Sequence, residues 1–384
     1  MHQLRLYSQF PPSAVSAAVE ALANLANHSD AIAGNIPEKK LFSMAVRFYT
    51  YLLKNRNLLD ASMKKSIRDN IRRALSALGS ICRFYECQDG CDSHNLDLNS
   101  FSVITEVKRL QFSGYVLSSA CFALFKDYLE QDDEQTKCLA LRAMNGVFIS
   151  RPRVVLAAEQ FGIFTSVISE DSPSSVQIES LRCWRDILLA EEKRIESGAA
   201  KKKMQLQTNM SVSKRISGDQ DGDACISGSV LTKHADRLYE LILSKDEKVR
   251  HVIIDLIGHL LRQGLINPMA TVPHLLAVQG DVESPRTRSL ALKLLIIEGE
   301  KRPDMLRQRI CAGLKQAYSF QKMVYPHDAH GAPRATALLT RNEGTKVITE
   351  TIFDSVSDRS HRHFISISRE FAQILMARLK LFNR

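Results

Sequence analysis

The sequence predicts an all-α chain that forms a curved solenoid of stacked helix pairs. Three observations predict it. Apolar residues recur at the three-and-four spacing that lines one face of a helix, almost throughout the chain. Helix stop and start residues fall between these stripes. One turn-plus-stripe pattern also returns at a nearly constant interval, as in helical-repeat arrays.

The stretch from Val249 shows the unit most clearly. Val252, Ile253, Leu256, Ile257, Leu260 and Leu261 share one helical face, which must be buried. Gly264 stops that helix where only glycine comfortably takes the left-handed cap conformation. Pro268 and Pro273 punctuate the start of another short apolar helix that ends near Gly280. Asp246 lies three residues before the Val249–Arg250 pair. An Asp followed by Val-Arg is common near the start of the second helix of a HEAT repeat.

The same pattern, a short acidic or Ser/Pro turn and then a helical apolar stripe, recurs around Lys137, Gln177, Arg250 and Arg288. The intervals are 40, 73 and 38 residues. Removing a polar insertion of roughly 35 residues from the middle interval leaves about 38, slightly short of the roughly 40 to 47 of a HEAT-type repeat. A single helix pair cannot bury its own apolar face, so the pairs are expected to stack into a HEAT-type solenoid with a long exposed surface.

In chain order, residues 1–195 are expected to form a helical array, HEAT-like from about residue 100. Residues 196–232 are rich in Ser and Gly, with blocks of each charge and few bulky apolar side chains. Such a segment cannot bury enough surface to offset its ordering entropy, so a disordered polar insertion is expected there. Within it, Lys214, Arg215 and Ser217 resemble a basophilic phosphorylation site, although an unmodified spacer is the favoured reading. Shorter polar loops are expected at 86–99 and 326–333. Residues 233–384 form the C-terminal repeat region, ending in a helix from Arg359 to Arg384. Its stripe is Phe364, Ile367, Phe371, Ile374, Leu375 and Leu379.

Composition agrees with an all-helical soluble protein. Hydrophobic residues make up 45% of 384, enough for a core, and no apolar run approaches the ~18 residues that span a bilayer. No membrane association is therefore expected. The opening residues lack the apolar core of a secretory signal. The eight cysteines mostly fall within helical stripes, where a free thiol behaves as a small hydrophobe, so a reducing compartment is expected. Trp184 lies between Leu181 and Leu188 at helical spacing and is expected in the core.

The chain carries no phosphate-binding glycine loop, no HExxH, no GxSxG and no dinucleotide fingerprint. No catalytic residue and no cofactor are predicted. Cys82, Cys87, Cys91 and His94 are the closest approach to a zinc set, but their spacings match no standard knuckle and Cys82 falls on a helical stripe. His327, Asp328 and His330 lie in a Pro/Gly loop without a fourth ligand nearby. No metal site is predicted from either.

Charge is more informative. The net charge is +10, and Lys39, Lys40, Arg47, Lys54, Arg56, Lys64, Lys65, Arg68, Arg72 and Arg73 stand against only Asp60 and Asp69, a local net of +8. A basic cluster of this kind is the electrostatic footprint of a phosphate backbone, because neutralised phosphates release counterions without any base contact. It equally suits a solvated face or a surface for an acidic protein. Apart from Arg47, these residues are the candidate nucleic-acid contacts.

The run from Leu238 to Asp281 closely resembles the C-terminal HEAT region of the cohesin-loading subunit family known as Nipped-B, adherin or sister chromatid cohesion protein 2. The shared features are a helix end with Glu191, Glu192 and Arg194 before a polar insertion, then Val249, Arg250 and His251. The turn with Gln263, Gly264, Leu265, Ile266, Pro268, Val272, Pro273, Leu275 and Ala277 follows. The resemblance is specific from about Ser174 to Gln321, weaker in the final helix and undetectable before about residue 130. Val249, Arg250, Gly264, Pro268, Pro273 and Gly313 match as structural residues.

The resemblance implies a hook-shaped, non-catalytic nuclear scaffold that binds double-stranded DNA. It implies contact with the ATPase heads and kleisin of cohesin, stimulation of their ATP hydrolysis and loading of cohesin onto chromatin. Members of that family are several times longer, so the resemblance implies a fragment or shortened form. The segment that clasps a smaller TPR-type loader subunit has no counterpart in this chain. The alternative is a HEAT-type adaptor of transport or signalling without a DNA role.

Overall fold

In the computed structural model, residues 12–28, 36–56, 65–85, 114–196, 220–281 and 283–324 are described. Among these the chain is helical throughout, with no strand. Two compact units divide it, Met1–Val230 and Leu231–Arg384. The first holds α1 (Pro12–His28), α2 (Ile36–Asn55), α3 (Lys65–Phe84), α4 (Gly114–Leu129), α5 (Glu134–Ser150), α6 (Val154–Gln160), α7 (Ile163–Val167) and α8 (Ser174–Glu196). Helix α9 (Gln220–Lys233) ends the first unit and runs into the second. The second unit continues with α10 (Ala235–Leu241), α11 (Glu247–Arg262), α12 (Pro268–Val278), α13 (Pro285–Lys301) and α14 (Pro303–Val324).

The repeat expected from sequence is physically present in its second helices. Helices α5, α8, α11 and α13 each begin three residues before Lys137, Gln177, Arg250 and Arg288, respectively. The residue before each of these anchors, Thr136, Val176, Val249 or Thr287, is buried. A polar or Ser/Pro turn therefore delivers each second helix into its neighbours at the same register. In the first unit α5 packs against α3, α4 and α8, and in the second α13 packs against α11, α12 and α14. Each repeat touches its sequence neighbours, as a solenoid requires.

Local chemistry sets the boundaries. Asp133 caps α5 by accepting from Thr136 N at 3.1 Å, and Asp246 caps α11 by accepting from Lys248 N at 2.8 Å. Beyond α11, Leu265 N donates to Leu260 O at 2.9 Å and Gly264 N to Leu261 O at 3.2 Å. That pair of bonds is the Schellman closure, and Gly264 supplies the left-handed residue it needs, with φ of 71°. Asn267 then caps α12, with Pro268 in its first turn. Pro273 departs from expectation. It lies inside α12 rather than at its start, where its ring removes one helical hydrogen bond.

The aromatic side chains knit the first unit. Phe148 meets Phe164 at 5.9 Å between ring centroids, and Phe164 meets Trp184 at 4.5 Å. Trp184 is buried, as its helical spacing predicts. In the second unit Tyr239 and His274 stack face to face at 4.5 Å. Burial drives the His274 imidazole down to about 4, so it is neutral at physiological pH.

The expected polar insertion is shorter at its end than the composition suggested, because residues 220–232 lie within α9. Two interactions explain the difference. Val230 and Leu231 are buried, and Ser227 donates to Glu191 at 2.5 Å. A deletion running from 197 to 230 would therefore remove most of a packed helix. Residues 197–219, the phosphorylation-like Ser217 and everything beyond Val324, including the expected C-terminal helix from Arg359, lie outside the described residues.

The Glu191 hydrogen bond has a pH consequence. Burial raises its carboxyl from 4.5 to about 7, against the opposing hydrogen bond from Ser227 and the Arg194 charge. A carboxyl whose folded pKa is raised stabilises fully below about pH 4.5 and loses that contribution as pH rises through 7. Amide exchange in α9, corrected for its intrinsic pH dependence, is expected to quicken between pH 5 and 8. Glu191→Gln should flatten that trend, and an unchanged trend would disprove the assignment.

Candidate interaction surfaces

The described candidate DNA contacts lie on α2, just beyond it at Arg56, and on α3. The buried stripe of α2 is Leu41, Ala45, Phe48 and Leu52, which leaves Lys54 exposed. The side chains of Lys39 and Lys40, and the whole of Lys64, lie outside the described residues. In α3 the stripe is Ile71, Ala74, Leu75, Leu78, Ile81 and Cys82. Lys65, Arg68 and Arg72 fall at three-, four- and seven-residue spacing and so share one flank. Arg73, one residue on, is turned by about 100° from Arg72.

Several of these cations are engaged inside the protein. Arg72 Nη2 donates to both oxygens of Asp133, at 2.9 and 3.1 Å, and Arg72 Nη1 lies 3.6 Å from Asp69. Burial opposes the charge on Asp133, but hydrogen bonds from Thr136 and Arg72 outweigh it and hold its carboxyl below the usual range. Arg72 thus steadies the cap of α5. Arg56 faces Asp127 at 3.7 Å, and Arg73 donates to Asn70 at 3.4 Å. Lys54 and Lys65 are exposed, and Arg68 is half-buried. Cys82 is buried in α3, and Cys87, Cys91, His94, His327, Asp328 and His330 lie outside the described residues.

The residues matched as structural lie in the second unit. Val249 is buried, and Arg250, the residue beside it, is 0% exposed. Arg250 grips Asp281, also 0% exposed, through Nε at 2.8 Å and Nη2 at 3.2 Å. Its Nη1 donates to Ser244 O at 2.9 Å and Lys245 O at 3.0 Å, and its guanidinium lies 5.9 Å from the Phe320 ring centroid. Asp281 in turn accepts from Glu283 N and Ser284 N, each at 3.2 Å, just ahead of α13. One arginine therefore ties the turn before α11, the turn before α13 and α14 together. Gly313 has another task. A Cβ there would stand 2.4 Å from Leu276 Cδ1, so its hydrogen lets α14 close on α12.

Two features escaped the sequence reading. The first is an ion triad on the second helices of the first unit. Arg142 forks onto Glu179 at 2.6 and 2.8 Å, and Arg182 lies 3.9 Å away. Both arginines sit five residues after their repeat anchors. The second is an open groove of about 500 Å³ between α11 and α13. It is bordered by Asp255 and Lys293, which occupy that same fifth position. The signal was therefore in the sequence, in the polar residue at a fixed offset from each anchor.

Residues 227–375 match the family described as sister chromatid cohesion C-terminus, Nipped-B_C. Over 254 residues, 66% of the chain, the sequence is 24% identical to Nipped-B-like protein A of Danio rerio. It is 23% identical to the Nipped-B-like proteins of Mus musculus and Homo sapiens over the same length. The aligned stretch covers only 8–10% of those relatives. The fold is similar to the C-terminal fragment of the Chaetomium thermophilum cohesin loader SCC2. That likeness has a TM-score of 0.62 at 15% identity, covering 89% of this chain and 23% of the other. Through residues 227–375, then, the chain is similar to the Nipped-B sister chromatid cohesion C-terminus family.

Proposed function

We propose that this protein is a non-catalytic nuclear scaffold for loading cohesin onto chromatin. In this reading it contacts the ATPase heads and kleisin of cohesin, binds duplex DNA and stimulates ATP hydrolysis by cohesin. The observation that carries it is the family match over residues 227–375. The all-helical fold shared with the fungal loader fragment supports it. The physical basis is the fixed stacking of helices within each unit. The buried Arg250–Asp281 pair and the helix caps fix the repeats, and the exposed Arg286, Ser289 and Lys293 of α13 are examples of polar positions open to partners.

The test is reconstitution. The full chain is mixed with purified cohesin, cross-linked and assayed for ATP hydrolysis with and without duplex DNA. Co-purification with the heads or kleisin and a faster ATPase are expected. No association together with an unchanged ATPase rate would defeat the reading.

DNA contact is proposed for the basic cluster of Lys39, Lys40, Lys54, Arg56, Lys64, Lys65, Arg68 and Arg73. Arg72 is better kept out of the test, since its guanidinium belongs to the α5 cap. Lys54→Glu with Lys65→Glu should weaken binding to every duplex sequence. The salt slope should shrink by roughly 0.9 for each phosphate that is no longer neutralised. Because both side chains are exposed, folding should change by no more than about 0.5 kcal/mol each. Unchanged affinity and slope would favour a protein-binding adaptor surface, a reading that the pairing of Arg56 and Arg72 with acidic residues also supports.

A further inference from the structure

We propose that the groove between α11 and α13 is a docking site for a short acidic peptide segment of a partner protein, bound in extended form. The groove holds about 500 Å³ and lies open to solvent. His251 and Asp255 form its α11 wall. On the α13 side Arg286, Ser289 and Lys293 stand exposed, with Leu290 half-buried between them. His251 is fixed in place by Thr287, with Nδ1 and Oγ1 3.2 Å apart.

The charge pattern selects the occupant. Arg286 and Lys293 make no ion pair among the described residues, whereas the neighbouring Glu283 lies 3.5 Å from Arg250. Helix α13 has no acidic residue in its first turn and no side-chain cap, so its positive end adds to Arg286. Seven residues of helix place Arg286 and Lys293 about 10 Å apart along the axis. An extended chain advances about 3.3 Å per residue, so carboxylates about three residues apart would reach both cations. Leu290 lies between the cations on the same face, where it offers an apolar side chain of the peptide a place to settle. An apolar anchor inside a charged rim is how protein interfaces are built.

A duplex fits less well. Glu283, 58% exposed, two residues before Pro285 and outside the groove lining, would face a phosphate ladder running past the groove. Two cations also neutralise too little of a duplex to hold it. The proposal is independent of the cohesin reading, and its assay contains no cohesin.

The test uses the full chain and a fluorescein-labelled peptide in which two Glu-Asp pairs flank one Leu, with a Gln-Asn counterpart as control. Fluorescence anisotropy should show the acidic peptide binding at least about tenfold more tightly than the control, and less tightly as salt rises. Arg286→Glu with Lys293→Glu should remove that preference while helicity is retained. Leu290→Ser should weaken binding of the acidic peptide without abolishing its preference over the control. Should the double reversal disturb folding, a photo-reactive version of the peptide on the unaltered chain should cross-link to α11 or α13. Equal binding of the two peptides would overturn the proposal, as would cross-links confined to other helices. Displacement of the peptide by duplex DNA whose own binding falls in the same double variant would make this a nucleic-acid site and also overturn it.

Discussion

Replacing Arg250 by Met is expected to destabilise the second unit by about 3–5 kcal/mol, because it leaves Asp281 charged, buried and without its partner. The destabilisation has a further part. Ser244 O and Lys245 O would also lose their donor, and α14 would lose the cation beside Phe320. Asp281→Asn should cost less, since an amide still offers one acceptor to the guanidinium. The double change Arg250→Met with Asp281→Leu should recover part of the stability, because no isolated charge remains, although the two carbonyls stay unserved. Recovery would identify the buried unpaired carboxylate as the main cost. Equal destabilisation in the single and double variants would assign the cost to the carbonyls and packing instead.

The measurement has to follow the second unit. Trp184 lies in the first, so its fluorescence is no direct reporter of the second. With two units, one global unfolding curve is also not a two-state quantity. Amide exchange in α11 and α13 reads the expected effect directly, as a fall in opening free energy confined to those helices and their neighbours. An exchange pattern unchanged from the parent would show that the Arg250 network is not what holds the repeat.

What was legible in the sequence follows from the range of the interactions involved. The four second helices were visible because the apolar period is a local property, and each helix starts at the same offset from its anchor. Gly264 was visible for the same reason, since a left-handed cap needs a residue type and not a distant partner. The Val249–Arg250 pair was seen, but its meaning was not, because Asp281 lies 31 residues further on. The pairing of Arg72 was out of reach for the same reason. Its partner Asp133 is 61 residues away, and a basic cluster looks alike in sequence whether its cations face solvent or close an internal cap. Helix α9 was hidden by composition. Ser and Gly outweigh its few apolar residues, and the Ser227–Glu191 bond that helps to hold it cannot be anticipated from spacing.

Gly146→Leu is expected to disrupt the first unit more than any surface substitution, because α5 meets α3 with almost no side chain between them. A Cβ on Gly146 would stand 2.2 Å from the carbonyl oxygen of Gly79, and one on Gly79 would stand 2.5 Å from Ala143 Cα. Those obstacles are backbone atoms and cannot rotate away. The helices would have to separate, and separation would open the stripe of Ile71, Leu75 and Leu78 in α3 and of Met144 and Val147 in α5. Overpacking commonly costs about 1–3 kcal/mol, and a backbone clash with a bulky side chain belongs at or above the upper end. Gly146→Ala should show the same direction with a smaller effect, opposed slightly by alanine's better helix propensity. Trp184 belongs to this unit, so its fluorescence can follow the denaturant midpoint. A midpoint for Gly146→Leu equal to that of the parent chain would mean that α3 and α5 do not meet at this seam.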